Sequence, residues 1–187
     1  MQSAIRPSSR LWLALLAALC APSGVHAEPP PKALPCMAGA PLQNRYTPVQ
    51  LYLTVDVCGR QRPFYDIAAK MFVLGSLYGY YDTLRVKDES AHQAITAMKM
   101  SVTPRFTDDF RAHLQSMTSG PKLAELCRSM RQIGPPTYYP SYMVAHGLQS
   151  IEHRLQGEDD EDDALDHSHT PQEMWAYVLD AYLHCPQ

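Results

Sequence analysis

Glycine is sparse in this chain of 187 residues, nine in all, and none of the nine builds a phosphate-binding loop. No His-Glu-x-x-His occurs, which removes the familiar single-helix zinc site of metalloproteases. No two cysteines are spaced Cys-x-x-Cys or Cys-x-x-x-Cys, so neither a zinc ribbon nor a thioredoxin-like redox centre is supported. The nearest text to a nucleophile elbow is Gly75-Ser76-Leu77-Tyr78-Gly79. There the serine stands one place early, inside a helical pattern and not at a strand-to-helix turn. Basic residues form no stripe, and 16 Lys and Arg face 19 Asp and Glu, which argues against nucleic acid. A membrane span needs about 20 apolar residues, and the apolar stretch 71–81 has only eleven. The chain is too short for a TIM barrel, and at 45% hydrophobic residues too apolar to be disordered throughout. We therefore expect no enzyme, no metal site and no cofactor.

What is present begins with a leader. Arg6 and Arg10 precede ten apolar residues, 11–20, and Val25-His26-Ala27 ends the segment with small residues at both key positions. This reads as a secretory signal, residues 1–27, cleaved after Ala27. Cys20 admits a lipoprotein alternative, against which Leu19 stands where a small residue is wanted. Cleavage leaves 160 residues with 14 basic and 19 acidic side chains, a balance of −5. It also leaves Cys36, Cys58, Cys127 and Cys185, an even number that in an exported chain favours two disulfides. Three pairings are possible. A bridge from the middle of the chain to its end would close a long loop and contribute about 4 kcal/mol in the chain-entropy model.

Residues 28–44 hold Pro29, Pro30, Pro31, Pro35 and Pro41 and form an extended lead-in that Cys36 could tie to the body. Residues 45–187 read as a single helical domain. Val49, Leu51, Leu53, Val55 and Val57 alternate like a strand, but Thr47-Pro48 is a helix cap and first turn, and we favour helix up to Gly59. The next helix, 63–85, is apolar nearly all round and belongs in the middle of a bundle. Its Gly75 and Gly79, one turn apart, allow close approach of a neighbour. Apolar periodicity then marks helices at 90–102, from Thr107 through Met117, at 121–133 and at 141–155. The last of these shows Val144, Leu148, Ile151 and Leu155 on one side. Thr170-Pro171-Gln172-Glu173 is a capping box that starts a final helix. The expected fold is all-α, a compact bundle of about six helices with two disulfides.

An acidic loop, 157–169, lies between the last two helices. Seven acids fall between Glu158 and Asp166, and without them the balance changes from −5 to +2. An EF-hand counted from Asp159 would need glycine and glutamate where Ala164 and Thr170 stand, so that motif fails. The tract reads either as solvated or as an electrostatic contact for a basic partner through Asp159, Asp160, Glu161, Asp162 and Asp163. His146 and His153 are seven apart on the expected helix, about 10.5 Å of rise and too far to chelate one metal. They read as surface histidines, and with His167 and His169 they carry the alternative of a metal-binding or hydrolytic protein. Tyr138, Tyr139 and Tyr142, with Pro135, Pro136, Pro140 and His146, form a stiff aromatic segment suited to partner binding.

Phe72 through Asp82 reads Phe-Val-Leu-Gly-Ser-Leu-Tyr-Gly-Tyr-Tyr-Asp. It resembles the glycine-aromatic-aspartate helix of the small periplasmic immunity proteins of type VI secretion, the Rap/Tai group, over Cys58 to Val86. That resemblance implies an exported, all-helical, disulfide-bearing, non-enzymatic protein that blocks a peptidoglycan amidase delivered by neighbouring bacteria. Length, residues 104–155 and the acidic tract depart from the group, which leaves the cognate toxin open. The function expected is that of an exported, periplasmic binding protein, an immunity or inhibitor protein that neutralises a secreted toxin or effector enzyme. An envelope accessory protein is a further alternative.

Overall fold

A helix with no polar side has nothing to give to water and must be wrapped by others. In the computed structural model, which describes residues 31–39, 41–156 and 164–185, that helix is the centre of the fold. The leader, the cleavage point after Ala27 and the residues Asp159, Asp160, Glu161, Asp162 and Asp163 lie outside the described residues. The helices are α1 (Pro48–Cys58), α2 (Tyr65–Arg85), α3 (Gln93–Val102), α4 (Asp108–Met117), α5 (Gly120–Ile133), α6 (Ser141–Val144), α7 (Leu148–Gln156) and α8 (Pro171–Ala181). Among the described residues no strand forms, and Val86 and Leu165 make one isolated antiparallel bridge.

The fold is all-α, as its periodicity predicts, and the contested segment 49–57 is helical. Thr47 and Gln50 form a reciprocal capping box: the Gln50 amide donates to Thr47 Oγ1 at 3.3 Å, and the Thr47 amide donates to Gln50 Oε1 at 3.2 Å. Leu51, Tyr52, Val55 and Cys58 face the core, while Leu53 and Val57 stay exposed. That is a helical division of the apolar residues, not an alternating one. A second capping box, Thr170 with Glu173, starts α8.

α2 buries residues from Ile67 to Asp82 around its whole circumference. α1, α4 and α8 pack along it, and with α5 they build one core that includes Leu51, Phe110, Leu126, Met130, Trp175 and Val178. The disulfides fasten the ends of the chain to this core. Cys36–Cys58 closes a separation of 22 residues and Cys127–Cys185 one of 58, worth about 3 and about 4 kcal/mol in the chain-entropy model. The first ties the proline-rich lead-in to the end of α1. The Leu34 amide helps by donating to the buried Thr54 hydroxyl at 2.7 Å.

One expected element is broken. Residues 141–155 do not form a single helix: α6 lasts one turn, and α7 starts afresh after Gly147. The cause is Asp88. A Cβ at position 147 would fall 2.3 Å from its Oδ2, so a side chain there would have to displace the Asp88 carboxylate. The same oxygen accepts the Gln149 amide at 3.0 Å, and the Ser90 hydroxyl accepts the Leu148 amide at 2.9 Å. α7 is therefore capped by residues about 60 positions earlier in the chain.

Gly75 and Gly79 do admit neighbours, with unequal tolerance. A Cβ at 79 would lie 2.1 Å from Ile95 Cδ1 on α3, whereas one at 75 would meet Leu51 Cβ at an ordinary 3.4 Å. Gly79→Ala should lower the free energy of unfolding in urea by about 1–3 kcal/mol through overpacking. Gly75→Ala should be neutral or stabilising, by up to roughly 1 kcal/mol of recovered helix propensity. Equal losses for the two would refute the α2–α3 contact as described.

Candidate functional site

Asp82 sits on the buried side of the last turn of α2 and is wholly removed from solvent. A carboxylate in that position must find donors. Tyr142 and Tyr138 donate their hydroxyls to Oδ2 at 2.7 and 2.8 Å. Arg85, one turn along the helix, donates Nε to Oδ1 at 2.8 Å, with a second guanidinium nitrogen 2.7 Å from the same oxygen. That guanidinium also donates to the Tyr138 carbonyl at 2.9 Å and lies over the Tyr81 and Tyr138 rings, 5.2 and 5.3 Å from their centroids. Burial pushes the Asp82 carboxyl above the usual carboxylate range, and Arg85 and the two hydroxyls pull it back. The two tyrosine hydroxyls are pushed up by burial first and by the Asp82 charge second, and stay neutral donors.

The backbone after α2 carries a second set of attachments. The Asp166 amide donates to the Arg85 carbonyl at 2.7 Å and the Lys87 amide to the Ala164 carbonyl at 3.0 Å, on either side of the Val86–Leu165 bridge. Asp88 then caps α7. Desolvation raises its carboxyl, but hydrogen bonds from Ser90 and Gln149 outweigh that, and its pKa lies below the ordinary 3.8. The end of α2 and the six residues after it thus hold three later segments: 138–142, 147–149 and 164–166.

The residues expected to bind a partner divide. Tyr138 and Tyr142 are half-buried, with their hydroxyls turned onto Asp82, and Tyr139 is half-buried between them. His146 is exposed, and its Nδ1 lies 2.6 Å from the Tyr142 carbonyl. It stands in the turn before α7, so His146 and His153 do not share a helix, contrary to the spacing argument. The four aspartates and the glutamate at 159–163 fall outside the described residues. Ser76 is buried and shares a 3.0 Å hydrogen bond with the Tyr52 hydroxyl, as a packed helix interior requires.

His167 and His169 are exposed and share a hollow of about 440 Å³ with Arg85, Tyr81, Leu165 and Glu173. The nearby carboxylates are engaged: Asp166 accepts the Ser168 amide at 2.8 Å, and Glu173 accepts the Thr170 amide at 3.0 Å. Among the described residues no group of three or more His, Cys, Asp or Glu is placed to hold a metal ion. Among them, too, no helix is long and apolar enough to cross a membrane.

No family profile, curated protein or solved structure matches the chain.

Two features escaped the sequence reading. One is the Asp82 network, signalled by an acid on the apolar side of α2, where the helix pattern of Gly75, Tyr78 and Asp82 continues. The other is α7. Its apolar residues lie on one side, yet Leu148, Ile151 and Leu155 are 69, 42 and 84% exposed, and no residue of the helix is buried.

Asp82→Asn should cost about 3–5 kcal/mol in denaturant unfolding, because it strands Arg85 beside a neutral amide. Tyr138→Phe and Tyr142→Phe should each cost about 1–3 kcal/mol. Acid should release α7 before the core. The folded Asp88 pKa lies below its unfolded value, so its contribution is complete above 3.8 and is lost as pH falls through the lowered folded value. Hydrogen exchange at the Leu148 and Gln149 amides should accelerate there, and Asp88→Asn should abolish that acid step.

Proposed function

We propose that the mature chain is an exported, non-enzymatic binding protein that neutralises a secreted toxin or effector enzyme in the periplasm, after release of the leader at Ala27. One observation carries this reading. α7 is a formed helix that shows an apolar stripe to solvent, while the chemically capable groups around it are engaged in holding the fold. Contiguous apolar surface of this kind is a mark of protein contact sites. Two disulfides fit an oxidising compartment and fasten a small domain for service outside the cytosol. The glycine-aromatic-aspartate text at Phe72–Asp82, with its resemblance to type VI immunity proteins, agrees with the same reading. A second reading, a metal-binding or hydrolytic protein, rests on the hollow that His167 and His169 share with Arg85. Zinc or copper retained through purification would favour it.

The test is affinity capture from the native envelope with the tagged, disulfide-bonded mature chain, followed by an activity assay of whatever enzyme is recovered. A secreted enzyme in near-stoichiometric yield, inhibited when purified chain is added back, is the expected result. Recovery of no secreted enzyme, or of one whose activity is unaffected, overturns the proposal.

A further inference from the structure

We propose that the hollow between the end of α5 and α8 is a ligand site, and that it takes an uncharged amide with an apolar side group, whose carbonyl accepts the Trp175 indole N–H. The inference goes beyond the protein-binding reading and does not rest on it. The hollow measures about 540 Å³ and is walled by Arg131 and Pro135 on one side and by Gln172, Trp175 and Leu179 on the other, with Cys185 beside them. That size falls within the roughly 300–1,000 Å³ of small-molecule sites.

The anomaly in this hollow is Trp175. It is only 5% exposed, and its indole N–H has no hydrogen-bond acceptor. A buried tryptophan ordinarily finds one, because burial takes water away from the N–H. The apolar period of α8 accounts for the placement: Trp175 and Leu179, one turn apart, lie on the buried side of the helix, and both line the hollow. The fold supplies no acceptor in return. The Tyr78 ring lies 5.4 Å from the indole between centroids, yet its hydroxyl is turned onto the Gly134 carbonyl at 3.0 Å.

The donor and its surroundings select the ligand. A water molecule needs about two to four polar partners, and beside the indole Leu179 and the disulfide-bonded Cys185 offer no strong one. A carboxylate needs several donors. Asp82 shows this in the same molecule by recruiting Arg85 and two tyrosines, and one neutral N–H cannot replace a carboxylate's hydration. A neutral carbonyl is served by one donor. Arg131 and Asp180 place one charge of each sign on the exposed rim, which therefore favours no net charge. Gln172 carries both a donor and an acceptor suited to the rest of an amide. The apolar floor then accepts the side group, which leaves water in doing so.

The experiment uses the oxidised mature chain, residues 28–187. Trp175 is its one tryptophan, because Trp12 lies in the leader. The indole N–H therefore gives a single magnetic resonance, which reports on the proposed hydrogen bond directly. The probe is N-acetyl-leucinamide. The controls are N-acetylglycinamide, which lacks the apolar group, and N-acetyl-leucine, which carries a carboxylate at neutral pH. The probe should move the indole proton downfield in a saturable titration and bind about tenfold tighter than either control. Ala176 is exposed and lines the same hollow. Ala176→Leu should fill the hollow and abolish the shift, with thermal unfolding unchanged. An indole resonance that the probe leaves in place, the result if water alone enters the hollow, overturns the inference. So does an equal response to either control, or equal binding by Ala176→Leu and the wild type.

Discussion

An ionised carboxylate taken out of water loses hydration worth several kcal/mol even after the protein relaxes around it. It persists only where donors rebuild the lost shell. Asp82 is in that position, and the rebuilding recruits Arg85 from its own helix and two tyrosines from a segment more than fifty residues further on. Because the carboxylate has no water to fall back on, those tyrosines have no freedom to be elsewhere. The turn 138–142 is held by this requirement together with apolar burial, since Pro140 is buried and the Tyr138 and Tyr142 rings pack on the core. Arg85 is fixed by Asp82 and lies over the Tyr81 and Tyr138 rings, and its backbone carbonyl, at the end of α2, accepts the Asp166 amide. One buried acid thus fixes the segment 138–142 against the end of α2.

The rest of the fold is organised by hydrophobic burial and by crosslinks. α2 has no polar side to lose, so α1, α4 and α8 enclose it, and the glycine at 79 lets Ile95 of α3 sit directly on its backbone. The disulfides act where helices alone would be weakest, at the proline-rich entry and at the last residues of the chain. Cys127–Cys185 joins α5 to the segment just past α8, and between those two points lies the whole excursion through α6, α7 and the acidic tract. A long excursion of that kind would be costly in entropy to close without a crosslink. With one in place, α7 can stand outside the core without endangering it.

Much of this was legible in the residues, for local reasons. Thr47-Pro48 and Thr170-Pro171 are caps whose chemistry depends on three or four neighbouring residues, and they decided α1 against its alternating apolar pattern. The apolar circumference of residues 63–85 named the central helix. Cys36, Cys58, Cys127 and Cys185 announced two bridges but not which two, because pairing depends on where α8 returns. What stayed hidden is non-local. Residues 141–155 carry an unbroken helical period, and nothing near Gly147 says that Asp88 will occupy the place of a side chain there. Likewise Tyr138 and Tyr142 look like an exposed aromatic segment until Asp82 is known to need donors. The clue was available, an acid within the apolar side of α2, but its partners could not be named without the fold.

The inward turn of those tyrosines takes their hydroxyls away from any surface contact, and for a physical reason. A tyrosine that donates to a buried carboxylate cannot offer the same hydroxyl to a partner, and withdrawing it would strand a charge. The contact that binds Tyr142 therefore stiffens the platform from which α7 departs, while Asp88, six residues beyond Asp82, supplies the cap from which α7 is built. Both acids stand at the same end of α2, and they act in opposite ways on protons: burial raises the first, and hydrogen bonding lowers the second. Where both carboxylates are ionised, the platform and the helix it presents are held together. A surface helix ordered in this way does not need its apolar side for its own stability, and that side is left available to another molecule.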